Sequence, residues 1–365
     1  MYDYIPDNPY LLLTPGPLST SKGVRNAMLR DWCTWDADYN EDIVQNIRRR
    51  LVQLACPQQS DDYTAVLMQG SGSFGVEATL GTALPQDGKL LILTNGAYGQ
   101  RMVSMAKALR LNYVVLSYSE IEALKPEEVA ALLAQDSDIS HVALVHCETT
   151  TGMLNPIEAL SRVIKAADKI LIVDAMSSFG GIPIDVPALG IDYLVSSSNK
   201  CIQGTPGFSF VIAKHQVLAD CGGNARSHSL DLYDQWKEMD ATGKWRFTSP
   251  THIVRAFLQA LDELDAEGGI YERGKRYREN HRILVSGMDA LGFKALLPQE
   301  LQSPIITSFL YPGENFNFPA FYQRMKTQGF VLYPGKISQA PTFRVGNIGE
   351  VYPVDIETLL RATVS

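Results

Sequence analysis

The sequence predicts an α/β fold, a mostly parallel sheet of seven strands between helices, followed by a smaller α+β C-terminal region. Three observations predict it. Seven short apolar runs alternate with helical patterns between about residues 40 and 215. These runs are apolar on consecutive positions, as in strands covered on both faces. After about residue 250 the alternation gives way to a long helical stretch, a charged one and a few isolated strand-like segments.

Taken in order, Thr14-Pro15-Gly16-Pro17 is a rigid turn expected to lay an N-terminal segment, residues 1–20, across the main body. A larger region over residues 21–255 carries the runs TAVLM (64–68), LLILT (90–94), YVVLSY (113–118), HVALVH (141–146), KILIVDA (169–175), IDYLVSS (191–197) and FSFVIA (208–213). Helical patterns such as VEATLGTAL and PIEALSRVIKAAD separate most of them. Only Thr205-Pro206-Gly207 and a few neighbours separate the last two runs, too few for a helical crossover, so that pair is expected to be antiparallel. A smaller region, 256–365, opens on a helix that ends at Gly268-Gly269.

Composition excludes several classes of function. Of 365 residues, 45% are hydrophobic and 20% charged, which supplies a core and excludes general disorder. Lys and Arg number 32 against 40 Asp and Glu, a net charge of -8, so no global basic field favours nucleic acid or a membrane surface. The five cysteines form no CxxC pair, which argues against a disulfide framework or a structural zinc site and for a reducing compartment. The first residues lack the basic region of a signal peptide, and no apolar stretch reaches roughly 18 residues. The expectation is a cytoplasmic protein.

Open α/β sheets bind ligands at the carboxyl ends of their strands. Five runs deliver reactive residues there: Gly70–Ser73, Asn95 and Tyr98, His146 to Thr149, Asp174, and Asn199 with Lys200. The loop Gly70 to Gly75 fits G-x-G-x-x-G and is either a phosphate cradle or a plain tight turn. A dinucleotide site would need a carboxylate after the next strand, where Leu93-Thr94-Asn95-Gly96 stands instead. Lys200, if partly buried, becomes a nucleophile able to form a Schiff base; solvated, it is inert. Asp174 either caps a helix or faces a pyridine nitrogen and makes that ring an electron sink. With a ring from Tyr98 to stack, the set reads as a pyridoxal phosphate site.

Other chemistries fit less well. The six histidines include no HExxH pair, so zinc hydrolysis is not expected and no metal site is anticipated; separately, no G-x-S-x-G elbow of a serine hydrolase occurs. Ser197 to Lys200 fits S-x-x-K, but the companion motifs of serine acyl-transferases are absent. Cys147 is expected to be a small buried residue rather than a nucleophile. The cluster Trp32-Cys33-Thr34-Trp35-Asp36 is either a packed turn or a substrate-lining loop.

Seven stretches together resemble the fold-type I pyridoxal-phosphate aminotransferases, in the class V branch with the alanine–glyoxylate and serine–pyruvate enzymes. They are LLLTPGPL (11–18), QGSGSFGVEA (69–78), NGAYGQR (95–101), HCETTTGMLNP (146–156), IVDAMSSFGGIP (172–183), SSSNKCIQGTPG (196–207) and FRVGNIGE (343–350). DWCTWDADYN (31–40), LDLYDQWK (230–237), KWRFTSPTH (244–252) and YPGKISQ (333–339) look like members of that branch that act on 2-aminoethylphosphonate and pyruvate. The resemblance implies pyridoxal 5′-phosphate bound through Lys200, with Asp174 at its ring nitrogen. It implies a ring stacked by Tyr98, where relatives often have tryptophan. It gives Ser71, Gly72 and Ser73 the phosphate, with Asn199 at a position often held by glutamine. Thr149 falls near the cofactor's phenolic oxygen, and Thr248 reaches the phosphate from the partner subunit of a homodimer with shared sites. Arg344 binds the substrate's anionic group. The alternative it leaves open is an alanine–glyoxylate or serine–pyruvate type of aminotransferase.

Overall fold

A computed structural model describes residues 5–335, 337 and 340–364; Lys336, Ser338 and Gln339 of the YPGKISQ stretch lie outside the described residues. The seven predicted runs form one sheet in the order Tyr63–Gln69, Phe208–Lys214, Tyr193–Ser197, Ile170–Asp174, Ile139–Val145, Lys89–Thr94 and Tyr113–Ser117. Phe208–Lys214 pairs antiparallel with both of its neighbours, and the other pairs are parallel. Six strands therefore run one way, and their carboxyl ends gather along one edge.

The consecutive apolar pattern has the cause expected of it. Leu90, Leu91, Ile92, Val142, Leu144, Leu171 and Val195 are all buried, because helices such as Gly72–Ala83 and Ile157–Ala166 cover the sheet. The helix Gly72–Ala83 starts inside the glycine loop and packs on the strands Tyr193–Ser197 and Phe208–Lys214. Gly75 allows that approach, since a Cβ there would stand 2.6 Å from Ser209 Oγ and 3.2 Å from Val195 Cγ1.

Thr251–Glu267 ends on Gly268, whose φ of +102° caps the helix in the left-handed region. The helix runs unbroken across position 255, and its Val254, Phe257, Leu261 and Leu264 belong to the core of the large sheet. Gly269–Ala290 follows at once. A three-stranded antiparallel sheet comes next, with Thr342–Gly346 between Ile306–Leu310 and Tyr333–Pro334. A second core forms beside it around Phe293, Phe309, Phe321 and Phe343. In the N-terminal segment, Leu11–Leu12 pairs parallel with Phe330–Val331 beside this second core. Leu13 carries the connection further, accepting from Gly346 N at 2.9 Å.

Candidate active site

The strand ends enclose a cavity of about 200 Å³ lined by Ser71, Gly72, Ser73, Tyr98, Asp174, Asn199 and Lys200, among others. Seven of the ten predicted site residues thus share one wall-to-wall space. They end or follow four strands spread over more than 100 residues of the chain, from Tyr63–Gln69 to Tyr193–Ser197, and the parallel order of the sheet brings them together.

Asp174 ends the strand Ile170–Asp174 and is 7% exposed. Burial pushes its carboxyl up to about 6, offset in part by the bond its Oδ1 accepts from Met176 N at 2.9 Å and by nearby Lys200. Lys200 follows the adjacent strand. Burial brings its ammonium down to about 8, and Asp174 opposes that shift. Its Nζ donates to Pro15 O at 2.7 Å, so the N-terminal turn closes over the lysine. Gly16, at φ +105°, permits the closure; a Cβ there would lie 2.8 Å from Lys200 Cδ and 2.9 Å from Asn199 O.

Ser71 stands at the N-cap of Gly72–Ala83 without bonding the helix through its hydroxyl. Gly72 lies against the flexible end of Met176, whose Sδ a Cβ there would displace. Asn199 Oδ1 accepts from Ser197 Oγ at 3.1 Å. Tyr98 sits in the first turn of Ala97–Ala108, with the Arg101 guanidinium 4.8 Å from its ring centre.

The other three residues stand elsewhere. Thr149 is fully buried; Arg344 Nη1 donates to its carbonyl at 2.9 Å, while its Oγ1 meets no hydrogen-bond partner among the described residues. Arg344 lies on Thr342–Gly346, where the register places Tyr333 opposite and its ring 4.9 Å from the guanidinium. Arg344 Nε donates to Pro334 O at 3.0 Å, and burial lowers the guanidinium's pKa from its usual value. Thr248 is exposed in a separate hollow with Trp35, Tyr39, Lys244 and Phe247. Trp35 of the tryptophan cluster is 78% exposed there, its ring under Lys244 Nζ at 3.6 Å.

Two site residues received no role from sequence. Arg101 lines the cavity and donates to Ser73 Oγ at 3.0 Å. Its place one turn after Tyr98 was the available signal. Glu148 is fully buried and accepts from Tyr98 N at 3.1 Å, Gly99 N at 3.4 Å and Thr150 Oγ1 at 2.8 Å. It thereby anchors the helix start that carries Tyr98. Burial pushes its carboxyl up to about 7. A carboxylate bonded across fifty residues leaves no local pattern to read.

The sequence pattern of the aminotransferase class-V family matches residues 41–351. The chain belongs to the class V aminotransferases. A relative from Syntrophobacter fumaroxidans, named 2-aminoethylphosphonate–pyruvate transaminase, is 60% identical over 359 residues, covering 98% of this chain and 96% of that protein. One from Vibrio vulnificus with the same name is 62% identical, covering 97% of each. Among solved structures, pyridoxamine–pyruvate aminotransferase from Mesorhizobium loti shares the fold at a TM-score of 0.89 and 23% identity, over 98% of this chain and 92% of that one. Alanine–glyoxylate aminotransferase from Nostoc sp. does so at 0.88 and 24%, over 98% and 95%.

A class V aminotransferase works with pyridoxal 5′-phosphate, and this site fits that group. Two residues after Cys147, which lines the cavity, the buried Thr149 hydroxyl meets no hydrogen-bond partner among the described residues. The turn at Gly72 leaves backbone room at a helix N-terminus, where a phosphate binds well. A buried carboxyl and a buried amine flank the space between. Among the described residues no helix is long and apolar enough to cross a membrane.

Proposed function

We propose that this class V aminotransferase transfers the amino group of 2-aminoethylphosphonate to pyruvate, yielding phosphonoacetaldehyde and L-alanine. The observation that carries the chemistry is the meeting of Lys200 and Asp174 at one buried cavity. The substrate class is supported by relatives about three-fifths identical over nearly the whole chain that are named for this reaction.

Lys200 would hold the cofactor, Asp174 would serve its ring nitrogen, and Tyr98 would offer a ring to stack. Ser71, Gly72, Ser73 and Asn199, with Arg101 beside them, would hold the phosphate, and Thr149 would serve the phenolic oxygen. When bound, the cofactor supplies an electron sink for the negative charge that develops on the substrate carbon. Lys200, as a free amine, would be the base that removes a proton from the substrate carbon and then the acid that gives the same proton back, so no net proton is gained or lost. An amine that titrates near 8 suits both tasks, because neither form is scarce at neutral pH. Asp174 stays ionised and holds the positive charge of the ring. Arg344 binds the phosphonate of one substrate and the carboxylate of the other, since a planar guanidinium matches either.

A donor assay tests the substrate. With pyruvate as acceptor, 2-aminoethylphosphonate should outperform serine and alanine; faster turnover of serine, or of alanine with glyoxylate, would move the chain to the neighbouring activities. Arg344→Lys should raise KM about tenfold or more for both substrates, as the fork is replaced by a point charge. Unchanged kcat/KM for both would remove Arg344 from the role.

The enzyme forms a homodimer with shared sites, in which Thr248 contributes a hydroxyl toward the partner's phosphate. The exposed Trp35, Phe74 and Phe247 support that reading, because large apolar groups seldom stay in water together. Sedimentation of the loaded enzyme should give twice the chain mass of 40.3 kDa. Thr248→Ala should weaken cofactor retention by a few-fold. A monomer with full activity would end this reading.

A further inference from the structure

Lys200 and Arg344 serve different ends of the reaction; Lys200 follows a strand of the large sheet, and Arg344 lies within the small one. One helix, Gly269–Ala290, reaches the segment that follows each of them. Arg273 is 2% exposed, and its Nη1 donates to the carbonyls of Cys201 at 3.1 Å and Ile202 at 3.2 Å, directly after Lys200. Arg276, about one turn on, donates through Nη1 to Gly349 O at 3.0 Å and Val351 O at 2.7 Å. Those carbonyls lie in the segment that follows the strand bearing Arg344, which ends at Gly346. Both guanidiniums share Glu267, which accepts from Arg273 Nε and Arg276 Nε at 2.7 Å each and from Arg276 Nη2 at 3.1 Å.

Gln203 joins the two segments directly. It holds a left-handed φ of +68° without being glycine, and its backbone N–H donates to Lys200 O at 2.8 Å. Its side chain donates to Tyr277 Oη at 2.6 Å and to Gly349 O at 2.9 Å. Strain of this kind persists where the surroundings over-determine it. Asn280 adds a bond to Val351 O at 2.8 Å. Glu267, Arg273, Arg276 and Gln203 are not among the cavity's lining residues. A buried guanidinium is costly unless paired, and two rigid forks on one carboxylate tie three chain segments to one point.

We propose that Glu267, Arg273 and Arg276 form a positioning clamp, linked through Gln203, that keeps the Lys200 loop and the Arg344 strand in fixed relation. The proposal rests on the roles given above to Lys200 and Arg344. The Arg273 arm governs the lysine, and the Arg276 arm governs anion binding.

The test uses the full chain loaded with pyridoxal 5′-phosphate and the variants Arg273→Lys, Arg276→Lys and Glu267→Gln. Three quantities are measured: the pH midpoint of the absorbance above ~400 nm that reports the lysine–cofactor bond, kcat and KM separately, and Tm. Arg273→Lys should shift the midpoint by about half a unit or more and lower kcat about tenfold, with KM within about twofold. Arg276→Lys should raise KM about tenfold for both anionic substrates and leave the midpoint in place. Glu267→Gln should do both. A lowered Tm with midpoint, kcat and KM unchanged in all three would reduce the clamp to a structural support and overturn the proposal, as would the two arms exchanging their effects. If Glu267→Gln does not fold, the two lysine variants, which keep their charge, decide. The midpoint needs no substrate, so a wild type inactive with every donor would sink the proposed reaction while the lysine arm is still judged.

Discussion

Lys200→Ala should lower turnover by about four orders of magnitude or more and abolish the absorbance above ~400 nm. Two separate tasks fall on this one amine, so both disappear together. Its position explains why no neighbour can replace it. Burial brings Lys200 down from 10.5 to about 8. At neutral pH that leaves a neutral fraction about 300 times larger than a solvated lysine would have. The sign follows from the direction of the shift: a lowered pKa enlarges the neutral, nucleophilic form, and cofactor capture by the apoenzyme should accelerate as pH rises towards 8. Absorbance spectra and single-turnover rates of the variant, with circular dichroism to show an intact fold, provide the check. A yellow variant that still transaminates would take Lys200 out of the mechanism.

Asp174→Ala should weaken cofactor binding and slow turnover by roughly 100- to 10,000-fold, through loss of the charge that keeps the ring an electron sink. The side chain has no obvious substitute, because it is held by Met176 N and buried at the strand end. Burial also sets a pH limit. A carboxyl raised to about 6 is largely ionised at pH 7 and protonates as pH falls through 6. Cofactor capture by the wild-type apoenzyme should therefore weaken as pH falls through about 6, whereas an ordinary aspartate would hold its charge to about 4. Equilibrium dialysis of the cofactor and the pH profile measure the two effects. Wild-type affinity and rate in Asp174→Ala would contradict the assignment.

The strands were legible because a parallel sheet buried on both faces demands consecutive apolar residues, and runs such as LLILT and KILIVD meet that demand. Their direction was legible where chain length constrained it, as at Thr205-Pro206-Gly207. The strand-end residues Asp174, Asn199 and Lys200 followed from the rule that such sheets bind ligands at their carboxyl edge. Glu148 was visible beside them, but its work depends on amide groups some fifty positions earlier. The closure of Pro15 over Lys200 spans even more of the chain.

The clamp shows the same limit more sharply. Glu267, Arg273 and Arg276 look like the solvated charges of a polar helix in a stretch rich in Arg and Lys. Their burial and their carbonyl partners arise only when the helix crosses both the lysine loop and the arginine strand. What the sequence determined by itself was the list of elements, the reactive groups and the family, since these depend on local period and short motifs. Tertiary structure alone decided which groups are desolvated, and hence that Lys200 titrates near 8 and Asp174 near 6. It also decided which distant backbone atoms hold them in place. The physical reason is that desolvation and hydrogen bonding act over a few ångströms of space, a distance that sequence separation does not measure.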